Sequence, residues 1–320
     1  MTSPLNRRDL LAGTGIAVAT ALLTQRSEAG EPTAAATAQP AAEPFRYCLN
    51  TSTIRGQKLS IVEEVEIAAQ AGYQAIEPWI GELDDYAKKG GSLPDLQKRI
   101  ADAGLTVEDA IGFPTWIVDD EARRRQGLEA AKRDMDLVRQ IGGKRIAAPP
   151  VGATDRVDLN LLAAAERYRA LLELGREMGL VPQLELWGFS KSMSHLSEVL
   201  LVAMESRDPD ACVLPDIFHM YKGGSDFGGL RFIHGQAIHV FHVNDYPDQV
   251  SPADVTDAQR VFPGDGVAPL TQIFRALREI GFRGVLSLEL FNREYWKQDP
   301  FQVAKTGLEK MRTAVQKALS

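Results

Sequence analysis

The chain has 320 residues, of which 44% are hydrophobic and 25% charged, as is ordinary for a soluble globular protein. Its length permits one large α/β barrel or two domains of average size. The net charge is −7 and no basic run with interleaved aromatic residues occurs. Nucleic acid is therefore not an expected partner, because binding its backbone requires a positive surface.

The first segment of the chain, residues 1–29, is predicted to be a twin-arginine export signal. It contains Arg7-Arg8, a mild apolar stretch and an expected cleavage site near Ala29. The apolar stretch is shorter than the ~20 residues of a membrane span, so no membrane anchor is expected. A disordered tail with a chance arginine pair is the alternative. Export predicts a periplasmic or extracellular protein.

Residues 30–44, rich in Ala, Pro and Thr, are predicted to be a linker, and residues 45–320 one folded domain. In this domain, helical stretches that mostly end at glycine alternate with β-rich runs. Eight such runs are predicted: Phe45–Ser52, Ala75–Trp79, Thr106–Ala110, Arg145–Ala148, Pro182–Trp187, Val213–Ile217, Ile238–Val243 and Val285–Leu290. Eight strand–helix units favour the α/β class and a single closed (β/α)8 TIM barrel. An open dinucleotide-binding sheet would need a glycine-rich turn, which residues 51–56 lack.

The two cysteines fall in the first and sixth predicted strands. A disulfide requires Cα atoms within ~7 Å, and two such positions in a barrel are too far apart. Cys48 and Cys212 are therefore expected to be buried free thiols.

Four acidic or imidazole side chains lie at the ends of apolar runs. They are Glu185, Asp216, His242 and Glu289, separated by 31, 26 and 47 residues. Because a strand–helix unit of a barrel takes roughly 30 residues, the spacing predicts one at the carboxyl end of each of strands five to eight. Strand alternation points both glutamates into the barrel, where a carboxylate is costly unless it is paired or bound to a metal. The quartet predicts a site for one divalent cation. Its mixed oxygen and nitrogen ligands are compatible with Mn, Co, Zn, Mg and Fe(II).

Other residues are candidates for substrate contacts. Arg260 follows a polar loop, residues 247–259, that could carry it into the pocket, with a surface ion pair as the alternative. Glu77 and Trp187 are predicted at the barrel mouth. Lys222 follows strand six and could reach the substrate, and a solvated loop lysine is an equal alternative.

Aromatic residues at the barrel mouth could form an apolar wall against a sugar ring, and Trp79 and Trp116 are further candidates for it. Asp245 is predicted either to orient His242 or Arg260 or to cap its own loop. The remaining histidines lie away from the predicted active face and are expected to be structural: His195, His234 and His239.

The chain resembles the xylose-isomerase-like TIM-barrel superfamily of sugar isomerases and epimerases, and within it the inosose isomerases. The resemblance extends from about residue 45 to the C-terminus. Its motifs are Leu184-Glu185-Leu186, Asp216-Ile217-Phe218-His219, His242-Val243-Asn244-Asp245, the run from Arg260 to Gly266 and the run from Leu288 to Trp296. The resemblance implies a divalent metal on Glu185, Asp216, His242 and Glu289. It also implies that His219 and Arg260 line the substrate pocket.

The chemistry of such a site follows from its groups. Moving a carbonyl along a polyol, or inverting the carbon beside it, requires removal of a weakly acidic C–H proton. A divalent cation stabilises the enediolate that results, and Glu185 and Glu289 are predicted to serve as acid and base.

Three functions remain open at this point. The first is a metal-dependent isomerase or epimerase of a keto-sugar or keto-inositol such as an inosose. The second is an exported lyase or hydrolase of 3-keto-glycosides, which would need one more acid, with His219 or Lys222 as candidates. The third is a non-catalytic sugar-binding barrel, which has no need for two inward glutamates on a metal.

Overall fold

The computed structural model describes residues 44–320, and these belong to one compact unit. The predicted export signal over residues 1–29 lies outside this range, as does all but the last residue of the predicted linker. None of the helices among the described residues is long and apolar enough to cross a membrane.

Eight parallel strands alternate with helices along the chain. The strands are β1 (Arg46–Asn50), β2 (Ala75–Glu77), β3 (Thr106–Val107), β4 (Arg145–Ala148), β5 (Val181–Glu185), β6 (Val213–Leu214), β7 (Val240–Val243) and β8 (Val285–Leu288). The helices are α1 (Ile61–Ala71), α2 (Ile80–Lys88), α3 (Leu93–Asp102), α4 (Glu121–Gln140), α5 (Leu161–Met178), α6 (Leu196–Ser206), α7 (Ile217–Gly223), α8 (Leu270–Glu279) and α9 (Pro300–Leu319).

The strands close into a barrel. Five pair in the order β3-β2-β1-β8-β7 and three in the order β4-β5-β6. One seam is joined where the Ala147 N–H donates to the Ala110 carbonyl at 2.9 Å. The other is joined by parallel bridges, including one between Asp216 and His242. The predicted single (β/α)8 TIM barrel is confirmed.

Side chains alternate between two apolar layers. Small and β-branched residues such as Ala75, Ala147 and Val285 fill the barrel interior, whereas Leu184 and Leu186 pack in the larger core that includes the helices. The predicted inward orientation of Glu185 follows from this alternation. Cys48 and Cys212 are buried free thiols, as expected.

Several strands end earlier than predicted. In the third and sixth strands, only Thr106–Val107 and Val213–Leu214 remain in the ladder. Asp216 follows the sixth strand and lies at the barrel mouth, whereas Glu108 follows the third strand and pairs with Arg46 and Arg145 at the opposite end of the barrel. Helix α2 was not predicted, because another helix follows it instead of a β-rich run. Asp216 and Glu289 therefore lie just beyond the ends of β6 and β8, whereas Glu185 and His242 remain within β5 and β7.

Candidate active site

The predicted quartet converges at the carboxyl end of the barrel. Glu185 is the last residue of β5, His242 lies in β7, and Asp216 and Glu289 follow β6 and β8. All four side chains are buried, with at most 3% of each residue exposed. Residues that are distant in sequence are brought together because parallel strands of a barrel end on the same face.

The distances within the quartet suit a small cation. The Nδ1 atom of His242 lies 3.3 Å from Oε2 of Glu289, 3.6 Å from Oδ2 of Asp216 and 4.0 Å from Oε1 of Glu185. Two ligands that bind zinc tetrahedrally at ~2.1 Å lie about 3.4 Å apart. Potential ligand atoms of Asp216, His242 and Glu289 all lie within 4.8 Å of one another. Glu185 stands slightly farther out.

Two buried atoms of the quartet make no hydrogen bond, namely Nδ1 of His242 and Oε2 of Glu185. Unpaired buried polar atoms are costly, and a bound ion is one way to satisfy them. The buried carboxylates of the quartet, together with Glu77, also outnumber the one buried arginine beside them, Arg260. The residues therefore fit a divalent cation in both donor type and charge.

Glu77 lies beneath the quartet, where its oxygens are 3.0 and 3.1 Å from Nε2 of His242. It does not line the cavity, so the structure places it away from the substrate contact predicted for it. Burial alone would raise the pKa of Glu77, but the adjacent His242 and hydrogen bonds from Ser287 and Asn50 lower it. A proton on Nε2 leaves the Nδ1 lone pair of His242 free for a ligand.

Asn50, at the end of β1, connects the quartet to the pocket wall and was missed in the sequence. Its Nδ2 group donates to Glu77 at 2.8 Å and to Glu289 at 3.3 Å. Its Oδ1 atom accepts from Nε1 of Trp79 at 2.9 Å and from the Ser52 N–H at 3.0 Å. The available signal was a polar residue at a strand's carboxyl end, the same signal that identified the quartet.

Arg260 is 1% exposed and reaches the quartet. Its Nη1 atom donates to Asp216 at 2.7 Å and to Glu289 at 2.9 Å, and Nη2 donates to Asp257 at 2.7 Å. Burial would lower the pKa of Arg260, but these three carboxylates raise it. The structure thus brings Arg260 to the pocket, and its ion pairs are not those of a surface arginine.

A cavity of about 180 Å³ opens above the quartet. The predicted residues Glu185, Glu289, Trp187, His219 and Arg260 line it. The cavity wall also contains the aromatic rings of Trp79, Phe113, Phe189 and Phe291. The centroid of each ring lies 5.1–6.0 Å from that of a neighbouring ring. An apolar wall opposite polar groups is typical of a site for a small polyol.

His219 lies between two N–H donors. Its Nε2 atom is 3.2 Å from Nη2 of Arg260, and its Nδ1 atom is 3.3 Å from the Gly188 backbone N–H. A neutral imidazole accepts at only one nitrogen, so only one of these hydrogen bonds forms at a time. Burial, opposed by Asp216 and assisted by Arg260, lowers the pKa of His219 to about 4.

Three residues considered in the sequence lie outside the cavity. The ammonium group of Lys222 donates to the carbonyl oxygen of Val255 at 2.7 Å. Because this bond holds the group away from the cavity, Lys222 does not make the predicted substrate contact. Asp245 accepts from four backbone N–H groups, including Gly264 at 2.9 Å, which is the loop-capping role. Trp116 is buried and donates to the Pro149 carbonyl.

Comparison with known proteins agrees with the barrel fold. Residues 65–314 match the family described as xylose isomerase-like TIM barrel. An inosose isomerase from Bacillus velezensis is 28% identical over 85% of this chain and 98% of its own length. A 3-dehydroshikimate dehydratase from Pseudomonas putida is 26% identical over 79% of this chain and 39% of its own length.

A solved structure, that of the IOLI protein with a binding zinc atom, has the same fold. Its TM-score is 0.80 at 23% identity, and the alignment covers 86% of this chain and all of that one. At this identity the likeness supports the fold alone.

The Asn50 network generates a prediction about stability. Asn50→Leu keeps the branched shape of the side chain but leaves the Trp79 Nε1–H group without its acceptor and removes one hydrogen bond to Glu77, so the free energy of unfolding should fall by about 2–3 kcal/mol. Ser287→Ala removes one hydrogen bond to Glu77 and should cost about half as much. Urea unfolding of both variants measures the difference. Equal stability of Asn50→Leu and wild type would show that the network does not support the site.

Proposed function

The chain belongs to the xylose isomerase-like TIM-barrel family, and on this premise we propose that it is a divalent-metal-dependent isomerase or epimerase of a keto-sugar or keto-inositol. The observation that carries the proposal is the buried quartet at the floor of a small cavity. A non-catalytic sugar-binding barrel would not need two buried glutamates facing its ligand.

The metal would be held by Asp216, His242 and Glu289, with Glu185 as the fourth ligand. The support is the short spacing of their ligand atoms and the unpaired Nδ1 of His242. A divalent cation bound there would polarise a carbonyl group and stabilise the negative charge that develops on its oxygen. The donor set does not choose among Mn, Co, Zn, Mg and Fe(II).

The two glutamates would move the proton. Both line the cavity, one from β5 and one after β8, so they can face a substrate from different sides. One carboxylate accepts the proton from the carbon beside the carbonyl, which leaves an enediolate. For isomerisation the other, protonated, gives a proton to the former carbonyl carbon, while the hydroxyl proton of the first carbon passes to the former carbonyl oxygen. For epimerisation it returns a proton to the opposite face of the first carbon.

The remaining lining residues would bind and orient the substrate. Arg260 and His219 present N–H groups or a ring nitrogen to substrate oxygens, and Arg260 is fixed by Asp257. Trp187 and the adjacent rings pack against the apolar face of the sugar and exclude water. The cavity of about 180 Å³ suits a small molecule such as a keto-sugar.

The likeness to an inosose isomerase along nearly its whole length supports an inosose or a related keto-sugar as the substrate class. The likeness to a 3-dehydroshikimate dehydratase supports a second candidate, the lyase of 3-keto-glycosides, because dehydration also begins with loss of a proton beside a carbonyl. This alternative requires an acid for the departing oxygen. The ammonium group of Lys222 donates to the Val255 carbonyl, and His219 is neutral near pH 7. Neither residue is therefore well suited to protonate the departing oxygen, which favours the isomerase.

The metal proposal predicts about one divalent cation per purified chain. Asp216→Ala and His242→Ala should each weaken metal binding by at least ~100-fold. Replacing even a residue that only hydrogen-bonds to a ligand lowers metal affinity about 10- to 100-fold. His195→Ala, a histidine outside the quartet, is the matched control and should retain the ion. Elemental analysis after Mn or Zn reconstitution measures this, and wild-type protein without any bound metal would refute the proposal.

The acid–base proposal predicts that Glu185→Gln and Glu289→Gln each lower turnover of an inosose or ketohexose by at least ~100-fold, the usual scale of general acid–base catalysis. The size of the side chain is kept while the basic oxygen is lost. Glu294→Gln, on an exposed glutamate after β8, should retain full turnover. A fully active Glu185→Gln or Glu289→Gln variant would show that the replaced glutamate has only a structural role.

Export through the twin-arginine route is also part of the proposal and rests on residues 1–29. Replacing both arginines, Arg7→Lys with Arg8→Lys, should leave the protein in the cytoplasm, since the receptor recognises the pair itself and not its charge. Cell fractionation followed by immunoblotting measures the outcome. Unchanged periplasmic protein in the double variant would contradict the twin-arginine route.

A further inference from the structure

A second pocket lies at the opposite end of the barrel from the quartet, where the strands begin. Its volume is about 650 Å³. We call it the basal pocket. Its charged and imidazole lining residues are Arg46, Glu108, Arg145, Asp210, His234, His239 and Arg283. It is thus separate from the cavity of the proposed reaction.

Positive charge in the basal pocket exceeds the negative charge available to pair with it. Glu108 binds both Arg46, at 2.8 Å, and Arg145, at 3.3 Å. Asp210 is engaged by an arginine outside the pocket, Arg176, at 2.8 Å. Arg283 has no carboxylate within 4.0 Å among residues 44–320, and its Nη1 atom only approaches the Phe282 carbonyl at 3.5 Å.

Further N–H donors line the pocket. The side chain of Arg145 is 19% exposed, so part of it is open to the pocket. Burial and the charge of Arg145 lower the pKa of His239 to about 4, so near pH 7 the ring is neutral and has one N–H group to donate. The Nδ1 atom of His234 accepts from the Gln236 backbone N–H at 3.3 Å, which places its ring proton on Nε2. Several N–H groups with few acceptors form an environment suited to an oxyanion.

We propose that the basal pocket binds a phosphate group, either as free inorganic phosphate or as the phosphate ester of a small metabolite. Guanidinium groups match the oxygens of phosphate in planar, two-pronged hydrogen bonds, and a charge near −2 offsets the excess positive charge. The volume exceeds what one phosphate fills and leaves room for the organic part of an ester. Arg145 and Arg283 are the main contacts, with His234 and His239 as further N–H donors.

A purely structural role explains only part of this arrangement. The pairing of Arg46 and Arg145 with Glu108 joins strands β1 and β4 to the end of β3 and stabilises the base of the barrel. This role does not involve Arg283, which is exposed at the pocket and pairs with no carboxylate among the described residues. The two roles are distinguished by variants that change ligand binding without breaking the bonds to Glu108.

Isothermal titration of the metal-loaded protein with inorganic phosphate and with glucose 6-phosphate, at constant ionic strength, tests the proposal. Wild type should bind one ligand per chain, and Arg283→Gln should weaken binding by about tenfold or more, since it removes a charge-assisted hydrogen bond. Arg145→Gln should do the same. Arg125→Gln, an exposed arginine of α4 that is ion-paired with Glu121, is the matched control and should bind as wild type does.

Arg283→Gln breaks no ion pair, so its thermal unfolding should match that of wild type and its result stands even if Arg145→Gln does not fold. Tighter binding of glucose 6-phosphate than of inorganic phosphate would support the ester, and equal affinities would support free phosphate. Absence of binding of both probes, or equal affinities in wild type and Arg283→Gln, would overturn the proposal. These outcomes do not depend on turnover, so they are separate from the test of the proposed reaction.

Discussion

Desolvation of carboxylates at the barrel mouth is the constraint that organises the rest of the structure. Glu77, Glu185, Asp216 and Glu289 are each at most 3% exposed. Buried carboxylates are tolerated only when they are paired, hydrogen-bonded or bound to a metal. His242 and Arg260 supply the partners in the protein itself, and each contacts at least two of these four residues. Within the quartet, Nδ1 of His242 and Oε2 of Glu185 remain without a hydrogen-bond partner.

The barrel makes this concentration of charge sustainable. Its strands hold the acidic groups on rigid backbone, and the residues behind them complete their hydrogen bonds. Glu77 orients His242, and Asn50 ties Glu77 to Glu289 and to Trp79 in the cavity wall. Asn244 donates to Asp216 at 3.1 Å. Preorganised polar groups of this kind favour charge that develops during reaction, because they need no rearrangement when it appears.

The fold and the quartet could be predicted from the sequence because they depend on local periodicity and on unit spacing. Eight apolar runs and the glycine helix ends indicated the barrel, and Glu185, Asp216, His242 and Glu289 lay at equivalent points of its last four units. The side-chain partners could not be predicted in the same way. Lys222 lies in α7, just after β6, but its ammonium group donates to three carbonyl groups of residues 252–255, which are distant in sequence. Likewise, the place of Glu77 behind His242 depends on packing across the barrel, which spacing along the chain does not encode.

Proton NMR in heavy water, with the Mn-loaded protein and a panel of inososes, ketohexoses and 3-keto-glycosides, distinguishes isomerisation from elimination. Isomerisation through an enediolate predicts deuterium uptake at the carbon beside the carbonyl of an inosose or ketohexose. It also predicts an isomeric product whose mass differs only by the label, since the proton is returned to carbon. Release of a free aglycone from a 3-keto-glycoside, without exchange on any free keto-sugar, would contradict isomerisation and establish elimination as the reaction.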